Sequence, residues 1–198
     1  MPSLFESLPA KAGLCVVITA LITAVGVLLA SPTRHAPQPP ADPLADRLAS
    51  VDTTTMAVRR AAFCSALPDA TAAAALGAAV DDTTAWQPGD RVQLGRVDDV
   101  ADEYGCSWAT ATGATARAWV FAPPVTPERA TALARARPAG CRPLGSMPAF
   151  GTPTSALTCG QATLVRGLFG DAWLSCELAG HDVDLVGRWC LAVARAAA

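Results

Sequence analysis

Asparagine is absent from this chain, and Lys11 is its only lysine. Isoleucine occurs only at Ile18 and Ile22, and histidine only at His35 and His181. The missing asparagine excludes every N-glycosylation sequon. The scarcity of histidine, with no Cys-x-x-Cys pair, argues against a zinc site. A net charge of −2 with no basic cluster argues against a nucleic-acid partner. Arginine in place of lysine, with little isoleucine, fits a GC-rich coding sequence rather than a chemical demand.

Cysteine, by contrast, is plentiful. Six cysteines follow the N-terminal region: Cys64, Cys106, Cys141, Cys159, Cys176 and Cys190. An even set downstream of an export-type segment reads as a disulfide framework in an oxidising compartment. Bridged sulfurs are also lost as nucleophiles. Cys15 stands apart inside the apolar segment, where it reads as a small apolar residue.

The segment Ala12 to Ala30 is an uncharged run of 19 residues. About 20 apolar residues span a bilayer as a helix, whereas a secretory h-region is shorter. Leu28 occupies the first small position of any cleavage site before Ser31. No cysteine follows the run for lipidation. The expectation is an uncleaved signal anchor over 12–30, with 1–11 cytoplasmic and cleavage as the alternative. Lys11 and Arg34 flank the run and orient it weakly. The cysteines place the C-terminal part outside, giving a single-pass protein of the cell membrane. Residues 31–43 are proline-rich and read as a spacer. The linker is expected to run over 31–62, with a possible short helix, and the domain over 63–198.

Within that domain, Pro68 and Asp69 open a helix and Gly77 closes it. Residues 91–97 alternate as one strand. Tyr104–Ala111 and Thr115–Ala122 flank a Thr-Gly-Ala link and predict a hairpin. Thr126, Pro127 and Glu128 start a second helix. Residues 140–160 read as a long loop, of a length that is unusual without structure of its own. Thr163–Phe169 and Ala172–Ala179 flank Gly170-Asp171 and predict a second hairpin. Asp182 caps a last helix over 183–196, whose apolar positions recur at helical spacing. Each half joins a hairpin carrying Ala-Trp to a helix ending in Ala-Arg-Ala, a weak internal repeat. The expected fold is α+β. It has an antiparallel sheet from two β-hairpins, helices packed on one face, disulfide staples, and one transmembrane helix before it.

Six cysteines allow many pairings, and topology supplies a preference among them. Cys64 lies before the first helix and Cys106 on the strand below. Cys141 and Cys159 bracket the loop. Cys176 lies on a strand, and Cys190 on the helix above it. The expected bridges are Cys64–Cys106, Cys141–Cys159 and Cys176–Cys190, each stabilising by about 3–4 kcal/mol in the chain-entropy picture.

The pattern Cys64-Ser65-x-Leu67-x-Asp69 leading to Leu76-Gly77, followed by Cys106-Ser107-Trp108 on a strand, resembles actinobacterial cell-envelope domains of unknown function. These are often carried by lipoproteins. It is similar, more loosely, to the extracytoplasmic sensor domains of mycobacterial serine/threonine kinases. The motif covers about 64–137, and the rest corresponds only in layout. The resemblance implies helices on a disulfide-bearing antiparallel sheet in the envelope, and it carries no catalytic residues. This chain departs from it in lacking a lipidation cysteine and in having an extra cysteine pair.

Candidate chemistry is sparse. A Ser-His-Asp triad would have to use His181 with Asp182 or Asp184, yet no Gly-x-Ser-x-Gly elbow exists. His181 reads as a turn residue before the last helix. Asp98, Asp99, Asp102 and Glu103 read as a solvated turn, as do Asp81 and Asp82. Four tryptophans read as core. Trp86 reads as an exposed loop anchor, and Met147 and Phe150 as a second candidate binding surface. No catalytic residue, metal or cofactor is expected. The leading expectation is a non-catalytic domain that binds or senses an envelope protein, peptidoglycan or lipid. Alternatives are a carrier or chaperone for an apolar ligand and, less favoured, a secreted hydrolase.

Overall fold

The computed structural model describes residues 42–94 and 97–198. The expected anchor 12–30, with Cys15, lies outside the described residues. Among the described residues no helix is long and apolar enough to cross a membrane.

Among the described residues the fold is α+β, with nine strands, three α-helices and three disulfides. Seven strands form one antiparallel sheet in the order β1-β4-β5-β9-β8-β7-β6. They are β1 (Asp82–Trp86), β4 (Glu103–Ala109), β5 (Thr115–Phe121), β6 (Cys141–Pro143), β7 (Thr154–Cys159), β8 (Ala162–Phe169) and β9 (Ala172–Ala179). Both expected hairpins, β4–β5 and β8–β9, are present, and β5 and β9 pair at the centre. The strand expected over 91–97 is instead two, β2 (Arg91–Leu94) and β3 (Val97–Val100), paired as a separate ribbon. Val92 and Leu94 share one phase and Val97 falls in the other, a break that separates the two strands.

Sequence cues set the helices. Helix α1 (Asp69–Leu76) ends on Gly77 at φ +65°, the left-handed cap that glycine adopts without cost. Helix α2 (Pro127–Arg135) starts where Thr126 Oγ1 accepts from Arg129 N. Helix α3 (Val183–Ala196) starts where the Asp182 carboxylate accepts from Asp184 N and Leu185 N. The alternation of β4, β5 and β9 turns Cys106, Trp108, Ala116, Ala118, Leu174 and Cys176 toward α1 and α3. Trp108 and Trp189 meet there edge to face, with ring centroids 5.4 Å apart. Helix α2 lies on the opposite face. It packs Ala130 and Leu133 over Phe121, Leu168 and Trp173, residues of the other alternation phase. The expectation of helices on one face is thereby corrected. The two Ala-Trp hairpins are therefore followed by helices on opposite faces, so the internal repeat is not a geometric one.

The linker boundary is also corrected, because the folded unit begins at Asp42. Leu44, Leu48, Val58 and Phe63 bury themselves in the main core. Arg188 Nη1 donates to Leu44 O at 2.9 Å, and Arg195 pairs with Asp46 at 2.6 Å. Apolar residues in short 3-10 turns carry no long periodicity, which is why composition alone reads this stretch as spacer.

The bridges join Cys64 to Cys106, Cys141 to Cys159 and Cys176 to Cys190, the pairs expected from topology. Cys176 and Cys190 are fully buried, whereas Cys141 and Cys159 sit half-buried on the short edge pair β6–β7. Exchange requires a thiolate to reach a sulfur, so exposure sets the order of reduction. With free thiols blocked first, limited dithiothreitol followed by maleimide mass tagging should label Cys141 and Cys159 before Cys176 and Cys190. The reverse order would contradict this packing.

Candidate functional site

The sheet face turned away from α1 and α3 is covered by α2 only at one end. Strand register builds the rest. Thr84, Ser107, Arg117 and Glu177 fall in one row across β1, β4, β5 and β9. Trp86, Gly105, Trp119 and Ser175 form the neighbouring row. A polar row thus runs beside an aromatic one, with strands about 4.8 Å apart.

Gly105 makes the second row possible. A Cβ there would stand 2.2 Å from Trp86 Cζ2, so the Trp86 indole lies directly over this glycine backbone. The Trp86 Nε1–H donates to Glu103 Oε1 at 3.3 Å. Trp86 therefore ends a strand and is only 7% exposed, which corrects its expected place as an exposed loop residue. Its indole nonetheless forms a wall of two adjoining spaces.

The larger space is a groove of about 500 Å3 between this face and the ribbon β2–β3. Pairing continues from Trp86↔Gly105 through the bonds of Gly89 N and Asp90 O with Ala101 to Arg91↔Val100. The ribbon is thus the far end of the β1–β4 hairpin. It is bent at Gln87–Asp90 so that Arg91 and Gln93 face Ser107 and Arg117 across the groove. The smaller space, about 150 Å3, is bounded by Trp86, Glu103, Arg117 and Trp119.

Arg117 is shared by both spaces. Its Nη1 lies 3.4 Å from Glu177 Oε1, while its buried Nε has no protein partner. The other two buried side-chain atoms without a partner, among the described residues, are Arg166 Nε and Ser175 Oγ on the same face. Arg166 is held under α2 by bonds from Nη2 to Ala136 O and Ser155 Oγ, and burial lowers its pKa. Burial pushes the Glu177 carboxyl above the usual carboxylate range, against the pull of Arg117.

The Glu177 shift has a sign that can be tested. A carboxyl with a raised folded-state pKa binds protons more readily in the native state. Its contribution is complete below the unfolded value and is lost as pH rises through the raised one. Urea midpoints should therefore fall across the window above the ordinary glutamate pKa. Glu177→Gln should remove that part of the slope. An unchanged pH profile in Glu177→Gln would contradict the burial argument.

The remaining candidates fall elsewhere. Phe150 is fully buried against Phe169, and Met147 packs beside the main core near Gly187. Their expected exposure as a binding surface is corrected: Thr53 and Thr154 bind the 149–151 backbone and draw the loop inward. Asp98 and Asp99 lie on β3, with Asp98 paired to Arg91, and Asp82 starts β1 rather than a turn. His181 Nδ1 lies 3.2 Å from Thr163 Oγ1, which donates to Gly180 O. Thr163 is buried with its hydroxyl hydrogen committed, and the Asp182 carboxylate is spent as a cap, so these groups form no nucleophile–base–acid relay. Among the described residues, no three His, Cys, Asp or Glu side chains converge as metal ligands.

Sequence reasoning missed Arg117, Trp119, Ser107, Thr84 and Glu177. A signal existed in Thr-Ala-Arg-Ala-Trp-Val-Phe, where Arg117 and Trp119 share the phase opposite Ala116, Ala118 and Val120. What they face depends on cross-strand register, which no single strand encodes. No family model, curated protein or solved structure matches the chain.

Proposed function

We propose that this chain is a membrane-anchored, single-pass protein whose extracytoplasmic domain is a non-catalytic binding or sensing module of the cell envelope. The ribbon-covered groove is its recognition surface. The observation that carries this reading is the groove itself. Trp86, the hydroxyls of Thr84 and Ser107, and Arg117, itself paired with Glu177, converge on the sheet face under an overhanging ribbon, with Trp119 in the adjoining space. Concave sites with an apolar wall and a few convergent polar groups are the usual form of ligand sites. Three disulfides favour an oxidising compartment, and the run 12–30 supplies the anchor. The cell-envelope domains that the Cys-Ser and Cys-Ser-Trp motifs resemble agree with that setting. A carrier would hold its cargo between sheet and helices, a space filled here by Trp108, Trp189, Val186 and the Cys176–Cys190 bridge.

The test is site-specific photocrosslinking of the full chain in native membranes. A reporter at Gln93, on the ribbon, should give a discrete adduct that is lost in Arg117→Ala. A reporter at Ala70, exposed on α1, should not. Silence at Gln93, or the same adduct from both positions, would reject the groove as a recognition surface.

A further inference from the structure

The composition of the groove selects among occupants, and this step rests on the recognition surface just proposed. We infer that the groove takes an uncharged saccharide of one or two rings. Charge comes first. Arg117 is paired with Glu177 and Arg91 with Asp98. Glu103 accepts from Trp86, and the Asp90 carboxylate accepts from Gln87 N. Both arginines are thus ion-paired, whereas Glu103 and Asp90 are each held by neutral N–H donors. An anion would meet Glu103 and Asp90, and a cation would meet Arg117 and Arg91. An anion finds both arginines already ion-paired, and a cation finds two carboxylates already hydrogen-bonded and standing beside arginines, so a net charge on the ligand is poorly repaid for its desolvation.

Polarity then excludes a purely apolar ligand. Thr84, Ser107 and Arg117 present hydroxyl, hydroxyl and donor in one row, and Gln93 faces them from the ribbon with an amide that both donates and accepts. Sugar hydroxyls are donors and acceptors at once, which suits such a mixed set. Beside the polar row, half-buried Trp119 and the wall of Trp86 offer aromatic surface on which the C–H face of a pyranose packs. An extended peptide would pair with a strand edge. This groove lies over the faces of β1, β4 and β5, where side chains rather than main-chain groups form the floor. The volume suits a small ligand, falling within the range of about 300–1,000 Å3 usual for such sites.

The experiment uses the full chain in detergent micelles on an array of neutral, acidic and basic oligosaccharides, followed by tryptophan-fluorescence titration with the best neutral disaccharide. Binding should change less than about twofold between low and high salt, because no net charge is exchanged. Trp119→Ala and Arg117→Ala should each weaken it by about tenfold or more. Ser107→Trp, which fills the groove from its floor, should abolish binding while circular dichroism stays native. Gln93→Ala, on the exposed ribbon, should weaken binding without touching the sheet. Binding only to acidic or basic sugars, or neutral-sugar binding that survives Ser107→Trp in native-like protein, would overturn the saccharide assignment. So would an array with no binder. If a Gln93 reporter then still yields a protein or lipid adduct, the saccharide falls and the recognition surface stands. If that reporter is silent too, both fall.

Discussion

Gly167→Ala should abolish the native fold. Gly167 lies mid-strand in β8, opposite Leu174 and Thr154, on the face turned toward the core. A Cβ there would stand 1.5 Å from Phe150 O and 2.7 Å from Phe150 C. Neither side can yield. Phe150 N donates to Thr154 Oγ1, Gly151 N to Thr53 Oγ1, and Thr152 N to Leu168 O. The Phe150 ring is itself buried against Phe169, with centroids 5.0 Å apart. Overpacking against fixed backbone costs more than the usual point mutation, here more than about 4 kcal/mol. Domains have only about 5–15 kcal/mol to lose. Far-UV circular dichroism and urea titration would read the result. Gly145→Ala is the control, since a Cβ there meets nothing within 4 Å and should leave the midpoint unchanged. A native-like urea midpoint for Gly167→Ala would show that this loop does not press on β8.

That loop also marks where reading the sequence stops. Local chemistry declares itself: Gly77, Thr126 and Asp182 each end or start a helix where expected, and Gly170-Asp171 turns β8 into β9. The alternation of β5 and the spacing of Val186, Trp189, Cys190 and Val193 identify core faces because burial follows period. Residues 140–160, expected as a loop, hold β6 and β7 at their two ends, and the stretch between those strands takes its order from partners far away. Thr53 Oγ1 donates to Ala149 O and accepts from Gly151 N across nearly a hundred positions of chain. Phe150, in a stretch of proline and glycine, carries no periodicity that would reveal its burial. Trp86 is the same problem in a strand. Its burial depends on Gly105 lying beneath it, a pairing that exists only once β1 is registered on β4. The candidate site was therefore half legible. Its Trp86 stands out in the sequence, but the Arg117–Glu177 pair, which makes the place chemically distinct, is a product of the β5–β9 register.

Trp108→Ala should cost about 3–5 kcal/mol, the range for removing a large buried aromatic. Trp108 is a joint between three elements. From β4 it meets Trp189 of α3 edge to face, and its Nε1–H donates to Asp69 Oδ1 at the start of α1 at 2.9 Å. Asp69 Oδ1 also accepts from Thr83 Oγ1 of β1 at 3.2 Å, so one carboxylate fixes the helix start against two strands. Truncation would leave a cavity beside Trp189 and take the indole donor from Asp69. Trp108→Phe separates the effects, keeping a ring against Trp189 while losing the N–H. A double-mutant cycle of Trp108→Phe with Asp69→Ala should show a coupling of about 1.5–3 kcal/mol by urea titration, as expected for a hydrogen bond to a charged group. Additivity of the two changes would mean that the bond contributes nothing. The consequence reaches the groove. Ser107 and Thr84 stand on the opposite faces of the strands that Trp108 and Thr83 pin to α1. In the surviving Trp108→Phe protein, a loosened β1–β4 edge should therefore weaken whatever the groove binds, while Glu177 and its pH-dependent stability on β9 remain as before. Loss of the Glu177 slope instead would place the damage in the sheet centre and contradict this division of labour.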